Sequence, residues 1–150
     1  MFTEGNKMQG ANRDAFTMIE LIYVIVIIGI LSAVAVPKFT ETMKLSHDTK
    51  GKTTLASVRS ALVTERQKRI LRGDFTAIDD LSNGGTGVFT FFSNDKDGNA
   101  NAVLDYPVAS CTSIGCWEGS GTSYKFHSSG GACTFTLSGN KLDGTCTAFN

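Results

Sequence analysis

The chain has 150 residues, a length that fits one modest domain with an appendage, and its 14 basic and 14 acidic residues cancel. The charges are segregated, because residues 16–72 carry nine Lys/Arg against four Asp/Glu, whereas residues 73–150 carry three against eight. A strongly basic protein would suggest a nucleic-acid partner, and the balance of the whole chain argues against that class. Two interpretations stay open: opposite charges that meet when copies stack, and a solvated helix face beside an acidic domain.

A long apolar segment lies near the amino terminus. Residues 21–36 contain no charge, and extending the segment back to Phe16 adds Glu20 as its one charged side chain. As a helix, the segment 16–36 would be about 31 Å long, which matches the hydrocarbon thickness of a bilayer. Its many Ile and Val residues are mediocre helix formers in water, but in lipid every backbone group must pair internally, so a helix results. The sequence therefore predicts a transmembrane helix over residues 16–36.

Three other interpretations of this segment fit less well. A secretory signal peptide has a shorter apolar core that is followed by small residues at a cleavage site. A buried helix is rarely apolar on every side in so small a protein. An ordinary membrane anchor seldom retains a carboxylate such as Glu20, because a charge in hydrocarbon is costly. A retained charge of this kind indicates a functional site.

The residues AFTMIELI, from Ala15 to Ile22, resemble the class III signal of type IV prepilins and type II secretion pseudopilins. The resemblance extends to Phe39. It implies that a membrane prepilin peptidase cleaves between Ala15 and Phe16 on the cytoplasmic side, and that the new terminus at Phe16 is then methylated. The family's glutamate at the fifth mature residue falls on Glu20, which implies a role for Glu20 in filament assembly.

Three further positions match the family's helix. Pro37 matches its helix-kinking proline, and Gly29 lies where the helix can loosen in an assembled filament. Gly29 and Ala33 also have the spacing of small residues that lets neighbouring helices approach closely.

The leader, residues 1–15, departs from the family in two ways. The residue before the cut is usually glycine, and here it is Ala15. The family's leader is usually basic, but this one carries equal numbers of basic and acidic residues. Two starts stay open, Met1 and Met8, because a start at Met8 would give a leader of a size more typical of the family.

After the apolar span, residues 37–72 are expected to form an amphipathic stem helix that lies on the head. Apolar residues at helical spacing form a stripe, made of Leu55, Val58 and Leu62 and widened by Val63 and Ile70. Basic residues largely ring the other faces: Lys38, Lys44, Lys50, Lys52, Arg59, Arg66, Lys68, Arg69 and Arg72. Gly51 marks a candidate bend, and Gly73 is expected to end the helix.

The remaining segment, residues 73–150, is expected to form a β-rich globular head. Short alternating runs predict strands at Val88–Phe92, Val103–Tyr106, Tyr124–His127, Cys133–Ser138 and Lys141–Phe149. Aromatic residues in this segment are expected in the core: Phe89, Phe91, Trp117 and Tyr124. A long helix laid across a small antiparallel sheet is an α+β fold, and it also matches the pilin-like fold that the resemblance implies.

All four cysteines lie in the head, where two disulfides are the expected state of a small exported domain. A two-residue turn at Gly139-Asn140 would pair residues whose numbers sum to 279. Cys133 then faces Cys146 at a non-hydrogen-bonded pair, where side chains approach closest. This pairing leaves Cys111 and Cys116 to close a small loop. A four-cysteine zinc site is the rival, and the spacing disfavours it.

The segment Ser93–Asn99 resembles a calcium-binding loop. Asp95, Asp97 and Gly98 fit three positions of the EF-hand pattern, but Ser93 replaces the first ligand and no Glu follows at the end. A plain Asp-Gly turn is the favoured interpretation, with calcium as a weak candidate and no other cofactor.

Neither histidine, His47 nor His127, lies in a catalytic motif, so no enzyme is expected. The chain is expected to be a structural subunit of a type IV pilus or a type II secretion pseudopilus. The expected partners are further copies or other pilins, the prepilin peptidase and an inner-membrane assembly platform. A single-pass inner-membrane protein with a periplasmic head is the expected form before assembly. A DNA-uptake pseudopilin, which would meet nucleic acid, and a membrane-anchored periplasmic binding module are the alternatives.

Overall fold

The computed structural model describes residues 16–82, 86–93, 98 and 101–149. These residues form two compact units, which divide between Phe39 and Thr40. The first helix, α1, spans Met18–Leu71 and contributes to both units. The other elements all belong to the second unit: β1 Gly87–Val88, β2 Val108–Ala109, β3 Trp117–Ser120, β4 Ser123–Ser128, β5 Gly131–Ser138, β6 Lys141–Asp143 and a 3₁₀ helix at Thr147–Phe149.

The strands form two antiparallel sheets. β1 pairs with β2, and the larger sheet has the order β3-β4-β5-β6. Each strand of the larger sheet pairs with its neighbour in the chain, so the sheet is a meander joined by tight turns. A long helix with antiparallel sheets is an α+β arrangement, as the sequence predicted.

One face of α1 is buried in the second unit. The spacing of its buried residues alternates between three and four, which keeps them on one side of the helix. We call this face the seam, and it consists of Asp48, Gly51, Leu55, Val58, Leu62, Glu65 and Arg69. Val63 and Ile70 were expected to widen it, but 57 % and 46 % of their surfaces are exposed because they project beside the seam.

The seam packs on aromatic residues of the sheet. Trp117 lies 5.1 Å from Phe126 and 5.3 Å from Phe135 between ring centroids, and Phe149 covers both phenylalanines. Phe89 stacks on Tyr124 at 5.0 Å. The expected core is confirmed at three of its four aromatic positions.

The fourth aromatic residue, Phe91, is 37 % exposed, so its assignment to the core was wrong. Its backbone makes an isolated bridge with Ala102, outside both sheets, where its side chain reaches solvent.

A hydrogen-bond network ties the loop after α1 to the larger sheet. The Tyr124 hydroxyl accepts a bond from the backbone N–H of Leu81 and lies 3.1 Å from Asp80 Oδ1, to which it can donate. The same carboxylate oxygen accepts bonds from the backbone N–H groups of Ser82 and Gly121. Burial, the largest cause, raises the pKa of Tyr124 to about 12.

The β5–β6 hairpin has the register that the sequence predicted. Leu137 pairs with Leu142, and the two-residue turn at Gly139-Asn140 has positive φ at both positions, as a type I′ turn requires. The structure contains a Cys133–Cys146 disulfide and a Cys111–Cys116 disulfide. Closing the 13-residue separation between Cys133 and Cys146 contributes about 3 kcal/mol in the chain-entropy account.

Two of the expected strands are shorter than predicted. In place of the expected strand Val88–Phe92, the structure has the two-residue strand β1, which ends at Val88. The strand ends there because Phe89 has a φ of 59°, which turns the chain out of the extended conformation. Lys141–Phe149 reduces to β6, because the chain bends at Gly144, whose backbone lies so close to the Thr134 carbonyl oxygen that no side chain would fit.

Two other strand assignments were also inaccurate. Val103–Tyr106 contains no strand; β2 begins only at Val108, after Pro107, which has no N–H to donate to a ladder. β3 was not expected, because WEGS lacks the alternation of apolar residues that marks a half-buried strand.

Polar contacts hold both ends of the seam. At one end, Asp48 accepts hydrogen bonds from the backbone N–H and the hydroxyl of Ser129. At the other end, the fully buried Arg69 donates to Glu65 Oε1 at 3.1 Å and to the Ser93 carbonyl at 2.6 Å. The sequence had placed Arg69 among the basic residues that ring the exposed faces, and that assignment was wrong.

Three cations on one flank of α1 bind backbone carbonyls. Lys52 donates to Phe149, Arg59 to Leu142 and Arg66 to Thr76, at 2.7, 2.9 and 3.1 Å. Their spacing of seven residues places them in a row along the helix. These three cations therefore bind groups within the second unit. This finding weakens the interpretation that the basic residues of the helix pair with acidic residues of another copy.

Gly51→Ala is expected to destabilise the second unit by about 1–3 kcal/mol. Helix propensity alone would favour alanine, but the added methyl group would overlap the tip of the Phe126 ring, which Trp117 and Phe149 hold in place. Urea unfolding of the detergent-solubilised full chain, followed by the fluorescence of its single tryptophan, measures the change. Ser57→Ala, on the exposed side of the same helix, is the matched control and should change stability by less than about 0.5 kcal/mol.

Tyr124→Phe is expected to change the alkaline stability. Because the folded state raises the pKa of Tyr124 above its ordinary value of 10, its contribution is complete below pH 10 and is lost as the pH rises towards 12. Between pH 9 and pH 11 the wild type should lose about 1 kcal/mol more stability than Tyr124→Phe. Unfolding curves at the two pH values measure this difference, and equal losses in both proteins would contradict the assignment.

Candidate functional site

The amino-terminal end of α1 is closed by a capping box. Thr17 precedes the helix, and its hydroxyl oxygen accepts a bond from the backbone N–H of Glu20 at 3.3 Å. The Glu20 carboxylate in turn accepts hydrogen bonds from the backbone N–H of Thr17 at 3.0 Å and from the Thr17 hydroxyl at 2.9 Å. Two backbone N–H groups that would lack a partner at a helix start are thereby satisfied.

This geometry places Glu20 at one end of the apolar helix. Glu20 and Thr17 share three hydrogen bonds, and the carboxylate uses its Oε2 atom for both bonds that it accepts. Phe16, the residue with the implied new terminus, lies next to Thr17 and is 90 % exposed. The structure therefore brings the implied methylation position and the implied assembly carboxylate to the same end of the helix.

The sequence analysis did not single out Thr17. The signal that identifies it is the pattern of a threonine followed three residues later by a glutamate, directly before an apolar run. This pattern gives Glu20 a local structural role, in addition to the assembly role that the resemblance implied.

The apolar segment that follows is uncovered. None of its described residues is buried, and α1 is the one described helix that is long and apolar enough to cross a membrane. A side chain at Gly29 would meet no atom within 4 Å, and Ala33 is exposed on the same helix. Pro37 lies inside α1, shortly before the boundary between the two units.

Several expected site residues lie elsewhere or outside the described residues. The four cysteines are in the second unit and hold its loops. Ala15 and the calcium candidates Asp95 and Asp97 fall outside the described residues. In the part of the chain that is described, no three His, Cys, Asp or Glu side chains are grouped to hold a metal.

A charged cluster lies on β3 and β4. Lys125 Nζ donates to Glu118 Oε1 at 3.0 Å, and this bond holds the pKa of Glu118 below its ordinary value. His127 Nε2 lies 3.3 Å from the same oxygen without making a hydrogen bond, so it adds an attraction when the imidazole is protonated. These three side chains form an ion-pair cluster, and they lack a nucleophile for which a base could be positioned.

Two grooves beside α1 also contain no set of side chains arranged for catalysis. One groove of about 570 Å³ is lined mostly by small residues of the helix, among them Ser57, Ser60 and Thr64. Another, of about 550 Å³, lies between the helix and residues 144–149 and includes Lys52 and Arg59, which already bind carbonyls. Neither groove has the enclosed apolar lining of a small-molecule site.

Comparison with known proteins gives one informative relative. The chain is 52 % identical over 46 residues to the type IV narrow pilus major component PilA5 of Thermus thermophilus. The matched region is 31 % of this chain and 40 % of the relative, so the chain spans well under half of the protein that it matches. No family model matches, and no solved structure matches. The match to PilA5, together with the long uncovered apolar helix and the antiparallel sheets, makes the chain similar to proteins of the type IV pilin-like family.

Proposed function

We propose that this chain is a structural subunit of a type IV pilus, and that it assembles through its apolar amino-terminal helix. The observation that carries the proposal is the uncovered helix from Met18 to Phe39, none of whose side chains is buried. Water does not tolerate so large an apolar surface, so a bilayer or neighbouring helices must cover it. In a filament, copies of the same helix supply that cover.

The division of the chain fits this proposal. Residues 1–15 are the proposed leader, 16–36 the membrane span, 37–72 the stem and 73–150 the head. The span anchors the subunit in the inner membrane with its amino terminus in the cytoplasm and its head in the periplasm. The partners are the prepilin peptidase, the assembly platform and further copies of the chain. A secretion pseudopilus uses the same amino-terminal design, and a DNA-uptake pseudopilus does as well.

Glu20 is the residue that we assign to assembly. A carboxylate inside a span costs about 2.5–3.5 kcal/mol on insertion scales, and the capping bonds to Thr17 offset part of that cost in a single subunit. A neighbouring subunit brings a further partner, the methylated amine of its Phe16. Opposite charges attract strongly where water is excluded, so this pair fixes the axial position of one subunit against the next.

The proposal predicts a processed amino terminus. Cleavage between Ala15 and Phe16 leaves 150 − 15 = 135 residues that begin with N-methylated Phe16. Intact-mass measurement of the protein from membranes, with and without the peptidase gene, tests this. A mature chain that still begins at Met1 or Met8, or one that begins after Val36, would contradict the proposal.

Glu20→Leu is expected to insert and to be cleaved normally, and to leave a stable membrane pool with few or no filaments. Thr17→Val removes the hydroxyl of the capping box and keeps the carboxylate, so it should retain most filaments. Glu41→Leu, on the same helix but outside the span, is the matched control and should assemble. Electron microscopy of sheared filaments and immunoblots of membranes measure both outcomes.

Two results would separate the roles of Glu20. Filaments at wild-type frequency from correctly cleaved Glu20→Leu would refute the assembly role. Loss of filaments in Thr17→Val as severe as in Glu20→Leu would assign the effect to helix capping. Scoring piliation, protein secretion and transformation in a deletion strain identifies which of the three machines the subunit serves.

A further inference from the structure

The second unit has a distinct edge at the amino-terminal end of its helix. It is formed by Lys44, His47 and Lys50 of α1, the Cys111–Cys116 loop and the β4–β5 turn at Ser129. We call these residues the proximal edge. It is the part of the second unit that follows the apolar span most closely along the helix.

The disulfide-closed loop is fixed in place at this edge. Gly115 donates its N–H to the His127 carbonyl at 2.7 Å, and His127 donates its N–H to the Cys116 carbonyl at 2.9 Å. The backbone of Gly115 also lies against the His47 ring, since a side chain at Gly115 would overlap it. The loop is therefore held by the sheet and by the helix, yet it leaves Ile114 with 53 % of its surface exposed.

Lys44 and Lys50 lie three residues before and three residues after His47, so they flank the side chain that the loop contacts. Residues 38–52 contain four lysines and two acidic residues, a net charge of 4 − 2 = +2. Lys44 precedes Asp48 by one helical turn, so it continues the line of the seam, but no described residue buries it. Lys50 is also exposed, whereas Asp48 is buried and bonded to Ser129. The helical part of the proximal edge therefore exposes two lysines, Lys44 and Lys50.

The exposed lysines of the proximal edge follow closely after the proposed membrane span. Lys44 follows Val36, the last residue of the proposed span, by eight residues, about 12 Å along a helix. Lysines this close in the chain to the end of a span are within reach of charged headgroups. Basic residues usually flank a span on the cytoplasmic side, whereas the proposed topology places these lysines on the opposite side. A negatively charged partner on that side accounts for them.

We propose that the proximal edge docks on an anionic phospholipid surface, with Lys44 and Lys50 facing the headgroups and Ile114 entering the boundary of the acyl chains. This proposal rests on the proposed function, because the chain must first be anchored by its span. Docking holds the head against the bilayer while the subunit waits in the membrane, and extraction into the filament releases it. An exposed apolar side chain on a rigid loop beside lysines has the composition of an interfacial membrane contact.

The test places a fluorescent reporter at the loop. Full-length Ile114→Trp is reconstituted in vesicles of phosphatidylglycerol and phosphatidylcholine with brominated acyl chains, and the wild-type signal of the buried Trp117 is subtracted. We expect quenching at least about twofold above that of Phe75→Trp, because acyl-chain quenchers reach only side chains at the membrane boundary. Phe75 is the matched control, since it is 71 % exposed and follows the far end of α1.

The charge dependence is tested with the same reporter. Adding Lys44→Gln and Lys50→Gln, or replacing the anionic lipid with phosphatidylcholine, should reduce the quenching about twofold, because the attraction to anionic headgroups is lost. Equal quenching of Ile114→Trp and Phe75→Trp would overturn the proposal. Quenching that is unchanged by both charge manipulations would overturn the assignment of an anionic lipid.

Flotation of the same vesicles separates this proposal from the proposed function. A chain that floats with the vesicles but leaves the Ile114→Trp signal unquenched is anchored without docking, which refutes the docking surface alone. A chain that does not float has no functional span, which contradicts the proposed function itself.

Discussion

The packing of the α1 seam against the larger sheet is the contact on which the second unit depends, because the helix and the sheet share one apolar core. Leu55, Val58 and Leu62 supply the apolar centre of that contact. Gly51 lets the Phe126 ring approach the helix backbone closely. The seam ends in side chains that make directional bonds, Asp48 at one end and Arg69 at the other, so the helix is fixed along its axis as well as against the sheet. Apolar contact alone would tolerate sliding by a turn, since it has no directional preference.

The row of Lys52, Arg59 and Arg66 adds a second attachment on the flank of the same helix. Each cation binds a carbonyl oxygen in a different part of the chain, so the helix holds the loop after α1, the end of β6 and the 3₁₀ helix. Bonds from a charged donor are stronger than neutral ones, and here they bind one carbonyl of β6 and two carbonyls outside the sheets. The Cys133–Cys146 bridge holds the same part of the chain from the sheet side.

The sequence allowed the helix, the β5–β6 hairpin and its register to be predicted, because each depends on local periodicity or turn chemistry. It did not allow the extent of the strands to be predicted. Phe89 adopts a positive φ that no local pattern favours, and Gly144 ends its ladder through a contact with Thr134 from another strand. Both are tertiary effects, and a single sequence carries no separate signal for them.

Charge was also harder to interpret than hydrophobicity. Arg69 follows Leu62 by seven residues and so continues the seam, but its charge led to its being grouped with the exposed cations. Its bonds to Glu65 and Ser93 account for its burial. At the amino-terminal site, Glu20 was identified from the resemblance, whereas its bond to Thr17 was open to prediction from the T-x-x-E pattern.

The bond between Lys52 and the Phe149 carbonyl has a practical consequence for engineering. Phe149 lies beside the middle of α1 and next to the Phe126 and Phe135 rings, where the chain is tightly attached. A reporter or affinity tag fused there would compete for space with the stem. The two-residue turn between β3 and β4, at Gly121-Thr122, is also bonded, because Gly121 donates to Asp80 Oδ1 and the Thr122 carbonyl accepts from the N–H of Leu137. An insertion at that turn would break these bonds, so a foreign peptide is better displayed at an exposed loop that makes none of them.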